Sequence, residues 1–193
     1  MSSSKAIAAS FVPDADVDLA DRHRHGDETA FDEVFARYSA MVYGLSLRMC
    51  SDPLRAQDLS QEVFLRIFRS LSRFRGRSSL RTWVYRVTLN HCRSRLGRKR
   101  LLTEPLDTPA VERQVRDPGR GPEGLTLAAD AGRLVARGLL RLPARFREAV
   151  VLRDLEGMSY REIADVLGIR LGTVRSRISR GREQLRVILE TEA

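Results

Sequence analysis

Apolar residues recur at three- and four-residue spacings along most of the chain. From Asp27, the stretch DETAFDEVFARYSAMVYGLSLRM places Phe31, Val34, Phe35, Tyr38, Val42, Leu45 and Met49 on one stripe, the signature of an amphipathic helix. Ser51-Asp52-Pro53 ends that helix and opens another, with proline inside the new first turn. The second helix, about Leu54 to Ser72, turns Leu59, Val63 and Ile67 inward, with Phe64 and Phe68 beside them. Arg73 to Ser79 reads as a loop broken by Gly76, and Ser78 or Ser79 can cap a helix starting near Leu80. From Thr103 to Leu125 the pattern lapses, and four prolines with three glycines predict a linker. Periodicity resumes near Thr126, and LLRLPARFREAVVLRDLEG predicts a helix opening at Pro143 and closing at Gly157. There is no β-alternation and no internal repeat. The expected fold is therefore all-α, two small helical domains joined by a flexible linker, with residues 1–20 disordered.

The segment MSYREIADVLGIRLGTVRSRISRGREQL, from Met158 to Leu185, reads as two short helices with a tight turn at Gly168. Ile163, Ala164 and Leu167 share one face, Gly168 permits a left-handed reversal, and Val174 and Ile178 pack back on the first helix. This is helix-turn-helix spacing. It leaves Arg175, Ser176, Ser179 and Arg180 facing outward, where arginine can bond bidentately to guanine in a major groove. Arg170, Arg177 and Arg182 flank that face and suit phosphate contacts, which position without specifying sequence. No acidic residue occurs from Val166 to Arg182, which favours DNA over a merely solvated basic hairpin.

Charge changes the picture for the middle of the chain. The net charge is +9, and Val63 to Thr103 holds twelve basic and no acidic residues. Codon preference accounts for arginine over lysine but not for the missing carboxylates, so this block is a candidate polyanion surface. Phe74, Trp83 and Tyr85 lie among its arginines. Flat rings on which unpaired bases stack contribute roughly 1–3 kcal/mol per base, so the mixture suits single or opened strands. Trp83 serves equally well as a core residue, and Asn90 either bonds locally or meets a base edge. Upstream, Asp58, Gln61, Glu62 and Leu65 form a polar-acidic strip opposite the buried side. It reads either as a solvated face or as a docking surface for an arginine-bearing helix.

Other chemistries find little support. Cys50 and Cys92 are far apart and read as two reduced thiols, and with His23, His25 and His91 they match no metal spacing. No uncharged run approaches the ~18 residues of a membrane span, and the N-terminus is too weakly apolar for a signal peptide. A cytoplasmic location without membrane insertion is expected. There is no glycine-rich phosphate loop, metal cluster or activated nucleophile, so neither an enzyme nor a cofactor is expected. A nuclease would need carboxylates that the basic block lacks.

The ordered motifs DLSQEVFLRIFRSLSRF, WVYRVTLNHCRSRLGR, the proline-rich linker, and LPARFREAVVLRDLEGMSYREIADVLGIRLGTVRSRISRGREQLR resemble the extracytoplasmic-function sigma factors of bacterial RNA polymerase. The resemblance covers about Asp27 to Gly97 and Gly132 to Leu189. It implies region 2 over residues 27–100, a linker over 101–131 and region 4 over 132–189. It implies that Asp58, Gln61, Glu62, Phe64 and Leu65 dock on a coiled coil of core RNA polymerase. It implies that the loop with Phe74 and Arg75, and the helix with Trp83, Tyr85, Arg86 and Asn90, read an opened −10 element with one base flipped. Thr173, Arg175, Ser176, Arg177, Ser179 and Arg180 would read the −35 element as duplex, and the linker would thread the polymerase channel. Ser94 departs from the family, which commonly has aspartate there. An anti-sigma factor is a further implied partner. The other reading of the residues is a freestanding helix-turn-helix repressor or activator, which would need neither the Asp58–Leu65 strip nor the basic-aromatic block.

Overall fold

The computed structural model describes residues 14–103 and 127–192, and among these all regular structure is helical. Helix α1 spans Asp14–Arg24, α2 Glu28–Cys50, α3 Pro53–Leu71 and α4 Leu80–Thr103. In the C-terminal half, α5 spans Leu127–Arg141, α6 Ala144–Val150, α7 Tyr160–Leu167 and α8 Leu171–Glu192. The expected linker's residues 104–126 lie outside the described residues.

Local chemistry sets the helix ends. The Asp27 carboxylate caps α2 by accepting from the Thr29 amide at 2.9 Å. The helix ends on Ser51 in the left-handed conformation, with φ of 49°. Asp52 then caps α3, accepting from the Arg55 amide at 3.1 Å, and Pro53 occupies the first turn, where its missing N–H is harmless. Ser79 receives the Thr82 amide at 3.2 Å at the start of α4. A second cap comes from far away, because Asp16 accepts the Leu80 amide at 2.8 Å.

That contact corrects the expected disorder for residues 14–20, while residues 1–13 of that expectation lie outside the described residues. From Asp14 the chain is helical, and Leu19 and Ala20 are buried against α2 and α3. The sequence masks this because the segment is rich in aspartate, yet Asp16 is itself buried in its capping role. A second difference concerns the helix expected from Pro143 to Gly157. It opens as expected after Pro143 but loosens into a π turn over Val151–Leu155 before Gly157, at φ of 67°, reverses the chain.

Val34, Val42, Val63, Ile67, Leu71, Leu80 and Val84 form the centre of the N-terminal bundle. Each such side chain contributes roughly 1.5–3 kcal/mol when taken from water. Phe35 departs from its expected stripe, being 48% exposed. In the C-terminal half, Gly181 lets α8 cross α6 at close range. A Cβ there would stand 2.6 Å from Val150 Cγ2 and 3.3 Å from the Phe146 carbonyl oxygen. The two halves share a core, in which Leu45, Met49, Tyr85, Leu89 and Cys92 pack with Leu139, Leu142, Leu152, Met158 and Ile163.

Candidate nucleic-acid interface

The helix-turn-helix is built from its caps inward. Ser159 and Glu162 form a reciprocal capping box at the start of α7, with Oγ accepting the Glu162 amide at 3.2 Å and the Glu162 carboxylate accepting the Ser159 amide at 2.8 Å. These bonds hold the Glu162 carboxyl below the usual carboxylate range. Gly168 closes α7 in the left-handed conformation, φ of 66°. Ile163, Val166 and Leu167 then meet Val174 and Ile178, all buried. With those two α8 positions inward, Arg175, Ser176, Ser179 and Arg180 are exposed, while Thr173 and Arg177 are half-buried at the edge of the face. Arg182, expected as a flanking cation, instead forms a two-pronged pair with Asp154, at 3.0 and 2.5 Å.

The α3 strip divides. Asp58, Gln61 and Leu65 are exposed, with Leu65 at 56%. Glu62 is half-buried and committed to α4, accepting from Arg95 at 2.6 Å and lying 2.6 Å from His91 Nε2. Burial of the His91 ring pulls its pKa below the ordinary value, against the opposing pull of Glu62. Phe64 is buried, contrary to its expected place on a docking face, because its ring packs at 4.6 Å from Phe35 and 6.4 Å from Phe31. The open apolar surface is carried by Phe35, Leu65 and Phe68 instead. Sequence reasoning missed Phe35 here because its spacing fits the buried stripe equally well.

The basic block is also sorted by burial. Arg75 and Asn90 are exposed, and Trp83 and Arg86 are half-buried. Phe74 is only 4% exposed, its ring edge-on to Trp83 at 5.7 Å, and Tyr85 is 1% exposed. Neither ring offers a face to a base in this arrangement, in contrast to the exposure that stacking would need. For Phe74 the cause is the Leu71–Leu80 corner of the core, and for Tyr85 it is the C-terminal half. Tyr85 Oη donates to Glu156 Oε2 at 2.5 Å, and burial together with that carboxylate pushes the phenol pKa well up. The Asn90 side chain takes the local option, Oδ1 accepting from Arg93 Nη1 at 3.1 Å.

Further groups of the same face meet the C-terminal half. Arg93 grips Glu148 with two bonds of 2.6 Å, and Glu148 is 2% exposed. The pairing raises the Arg93 pKa. Arg48 reaches Glu156 at 2.5 Å, Arg81 lies 4.0 Å from Glu162, and Arg86 donates to the Asp165 carbonyl at 2.7 Å. Glu148 and Glu156 carried no signal in the sequence, since pairing across dozens of residues leaves no local spacing. Both cysteines are free thiols, and burial pushes Cys92 up to about 12. Among the described residues no helix is long and apolar enough to cross a membrane.

One half thus carries an exposed basic helix, and the other an arginine-rich helical face. The Sigma-70 region 2 family matches residues 34–101 and the Sigma-70, region 4 family matches residues 133–185. The RNA polymerase sigma-H factor of Pseudomonas aeruginosa is 34% identical over 176 residues, covering 88% of this chain and 91% of that protein. The ECF RNA polymerase sigma-E factor of Escherichia coli (strain K12) is 35% identical over 173 residues, covering 86% and 90%. CnrH, solved in complex with the cytosolic domain of CnrY, matches with a TM-score of 0.67 at 26% identity, over 93% of this chain and 99% of that one. The sigma factor RpoE of Bartonella quintana, solved with the anti-sigma factor NepR, shares the fold with a TM-score of 0.63 at 23% identity, over 84% and 98%. The chain belongs to the extracytoplasmic-function group of sigma-70 factors, the transcription initiation factors of bacterial RNA polymerase.

Proposed function

We propose that this chain recruits core RNA polymerase to promoters by reading the −35 element with region 4 and holding the opened −10 element with region 2. The observation that carries the reading is the outward set Arg175, Ser176, Ser179 and Arg180 on a helix whose opposite side, Val174 and Ile178, is locked into the core. A major groove admits such a helix, and each bidentate arginine–guanine contact contributes roughly 1–3 kcal/mol of discrimination. Thr173 and Arg177 flank it as further −35 contacts. Region 2 spans 27–100 and region 4 spans 132–189 in this reading, with 101–131 as the connection. Asp58, Gln61 and Leu65 supply the polymerase-facing surface, Glu62 its edge, and Phe64 supports Phe35 from beneath. Arg75, Trp83, Arg86 and Asn90 face the −10 strand, Phe74 backs Trp83 from within the N-terminal core, and Tyr85 comes into play when the halves separate.

The chain performs no catalysis of its own in this reading; polymerase makes the bonds. It acts in the cytoplasm, and an anti-sigma factor holds it inactive, by analogy with the complex of RpoE and NepR. The test is transcription by core polymerase on genomic fragments with and without the purified chain. Added transcripts sharing upstream sequence at their start sites support the reading. Tight palindromic duplex binding with no polymerase association would replace it with a freestanding repressor or activator.

A further inference from the structure

The acid-free run that begins at Val166 ends at Arg182, and beyond it α8 carries Glu183 and Glu190, both paired with Arg186. Arg182 is thus the last cation of the face assigned above to the −35 duplex. It follows Arg175 by seven residues, two turns on along the same side of α8 and about 10 Å further along the axis. A major groove is about 12 Å wide. With Arg175 at the base edges, Arg182 comes to the groove rim, where the phosphates stand.

The Arg182 side chain is held from outside its own helix. Asp154 accepts from Nε at 3.0 Å and from Nη2 at 2.5 Å. The π turn Val151–Leu155 presents Asp154, and that turn is anchored. Val151, Leu152 and Met158 are buried, and the Met158 amide donates to the Leu152 carbonyl at 3.0 Å. Arg153 donates to the Met158 carbonyl at 2.8 Å and lies 5.0 Å from the centre of the Tyr160 ring. On the other side of the pair, Gly181 seats α8 directly against Val150. Arg182 nevertheless stays 52% exposed. Its two bonds use the Nε–H and one hydrogen of Nη2, so the other Nη2 hydrogen and both on Nη1 remain on the open edges of the planar group.

We propose that Asp154 is a positioning residue for duplex binding, holding Arg182 as a pre-set phosphate contact at the rim of the −35 groove. A long side chain that is already ordered in the free protein is spared that entropy loss when DNA arrives. An exposed pair of this kind adds little to folding stability, so its effect falls on binding. Two effects of Asp154 oppose each other. Its charge repels the duplex, and its bonds keep Arg182 on target. At physiological salt the repulsion is screened over about 8 Å, whereas the guanidinium meets the phosphate directly, so positioning wins. This role rests on the −35 face proposed for α8; the pair itself does not.

Phosphate contacts carry no sequence information, so the test uses the full chain and a fluorescein-labelled duplex of mixed sequence, titrated at several salt concentrations between about 50 and 200 mM. Asp154→Asn is expected to weaken binding about twofold to tenfold, the ordering entropy of one long side chain. The slope of log affinity against log salt should become shallower, by up to about 0.9. Added to Arg182→Gln, the same change should cost nothing further. Asp165→Asn, which removes an equal charge from an exposed position on α7, should leave binding unchanged or tighter. Equal or tighter binding by Asp154→Asn, weaker binding at an unchanged slope, or an equal loss in Asp165→Asn overturns the proposal. Melting curves check folding. If Asp154→Asn does not fold, Arg182→Lys decides, because lysine keeps the charge but not the two-pronged pair: a loss of affinity supports the proposal and wild-type affinity overturns it. Binding that ignores Arg175→Ala with Arg180→Ala sinks the reading of α8 itself and this inference with it. A loss in that double variant beside tighter binding by Asp154→Asn sinks this inference alone.

Discussion

At Glu62 of α3 one carboxylate holds two groups of α4, the buried His91 ring and Arg95. His91 sits where its cation is penalised, so its folded pKa lies below the ordinary value. The unfolded chain takes up that proton near pH ~6.5, before the folded chain does. The neutral ring's contribution is thus complete above that pH and is lost as pH falls through it. Urea midpoints measured from pH 7 to pH 5 are expected to fall, with the His91 share of the slope at most about 1.4 kcal/mol per pH unit. His91→Gln should flatten that share, and an unchanged slope in the variant would remove His91 as its source. Gly181 gives a second residue-scale expectation. Alanine is the better helix former by roughly 1 kcal/mol, yet its methyl would press on Val150 and the Phe146 backbone. Gly181→Ala should therefore lower stability by about 1–3 kcal/mol by denaturant unfolding, the ordinary cost of overpacking.

Among the elements, α8 and α3 carry the interfaces in the proposed reading. Arg175→Ala and Arg180→Ala should each weaken −35 duplex binding by roughly 1–3 kcal/mol and reduce run-off transcription, with co-purification on core polymerase unchanged. On α3, Asp58→Arg and Leu65→Ala should weaken association with core polymerase without moving the melting temperature, because both side chains are exposed. Glu62→Arg should lower both, since it also breaks the bridge to α4. Equal melting temperatures for all three would show that the bridge is not structural. The helices themselves were legible, because three- and four-residue periodicity, Asp52-Pro53 and Gly168 each act within one turn of chain. Burial of individual rings was not. The spacing of Phe35 fits the stripe, yet its neighbours leave it half open, while Phe64 one turn from the expected strip turns inward. A period names a face, and only the packing of neighbouring helices decides how wide that face is.

Taken whole, the chain shows what the charge pattern left unexplained. A long acid-free stretch is stable in a folded molecule when counter-charges arrive from elsewhere, and here Glu148 and Glu162 bring them across from the other half to Arg93 and Arg81. The sequence read as two separate domains because helical periodicity lapses between Thr103 and Leu125. The contact between them depends on pairs such as Arg93 with Glu148, whose separation of 55 residues no local reading can span. Glu148 is the sharpest case, a carboxylate inside a stretch that scores as a plain amphipathic helix.

The Asp16 bond to the Leu80 amide has a practical consequence for anyone shortening this gene. Family similarity begins at residue 34, which invites a start codon just upstream of it. A protein begun there loses the acceptor that closes the first turn of α4 and the apolar lid formed by Leu19 and Ala20. Such a shortened product should melt at a lower temperature than the full-length chain, and Asp16→Ala in the full-length chain should reproduce part of the loss, a cap being worth about 0.5–2 kcal/mol. If the trimmed and intact proteins melt together, the leading helix is an ornament rather than a clasp.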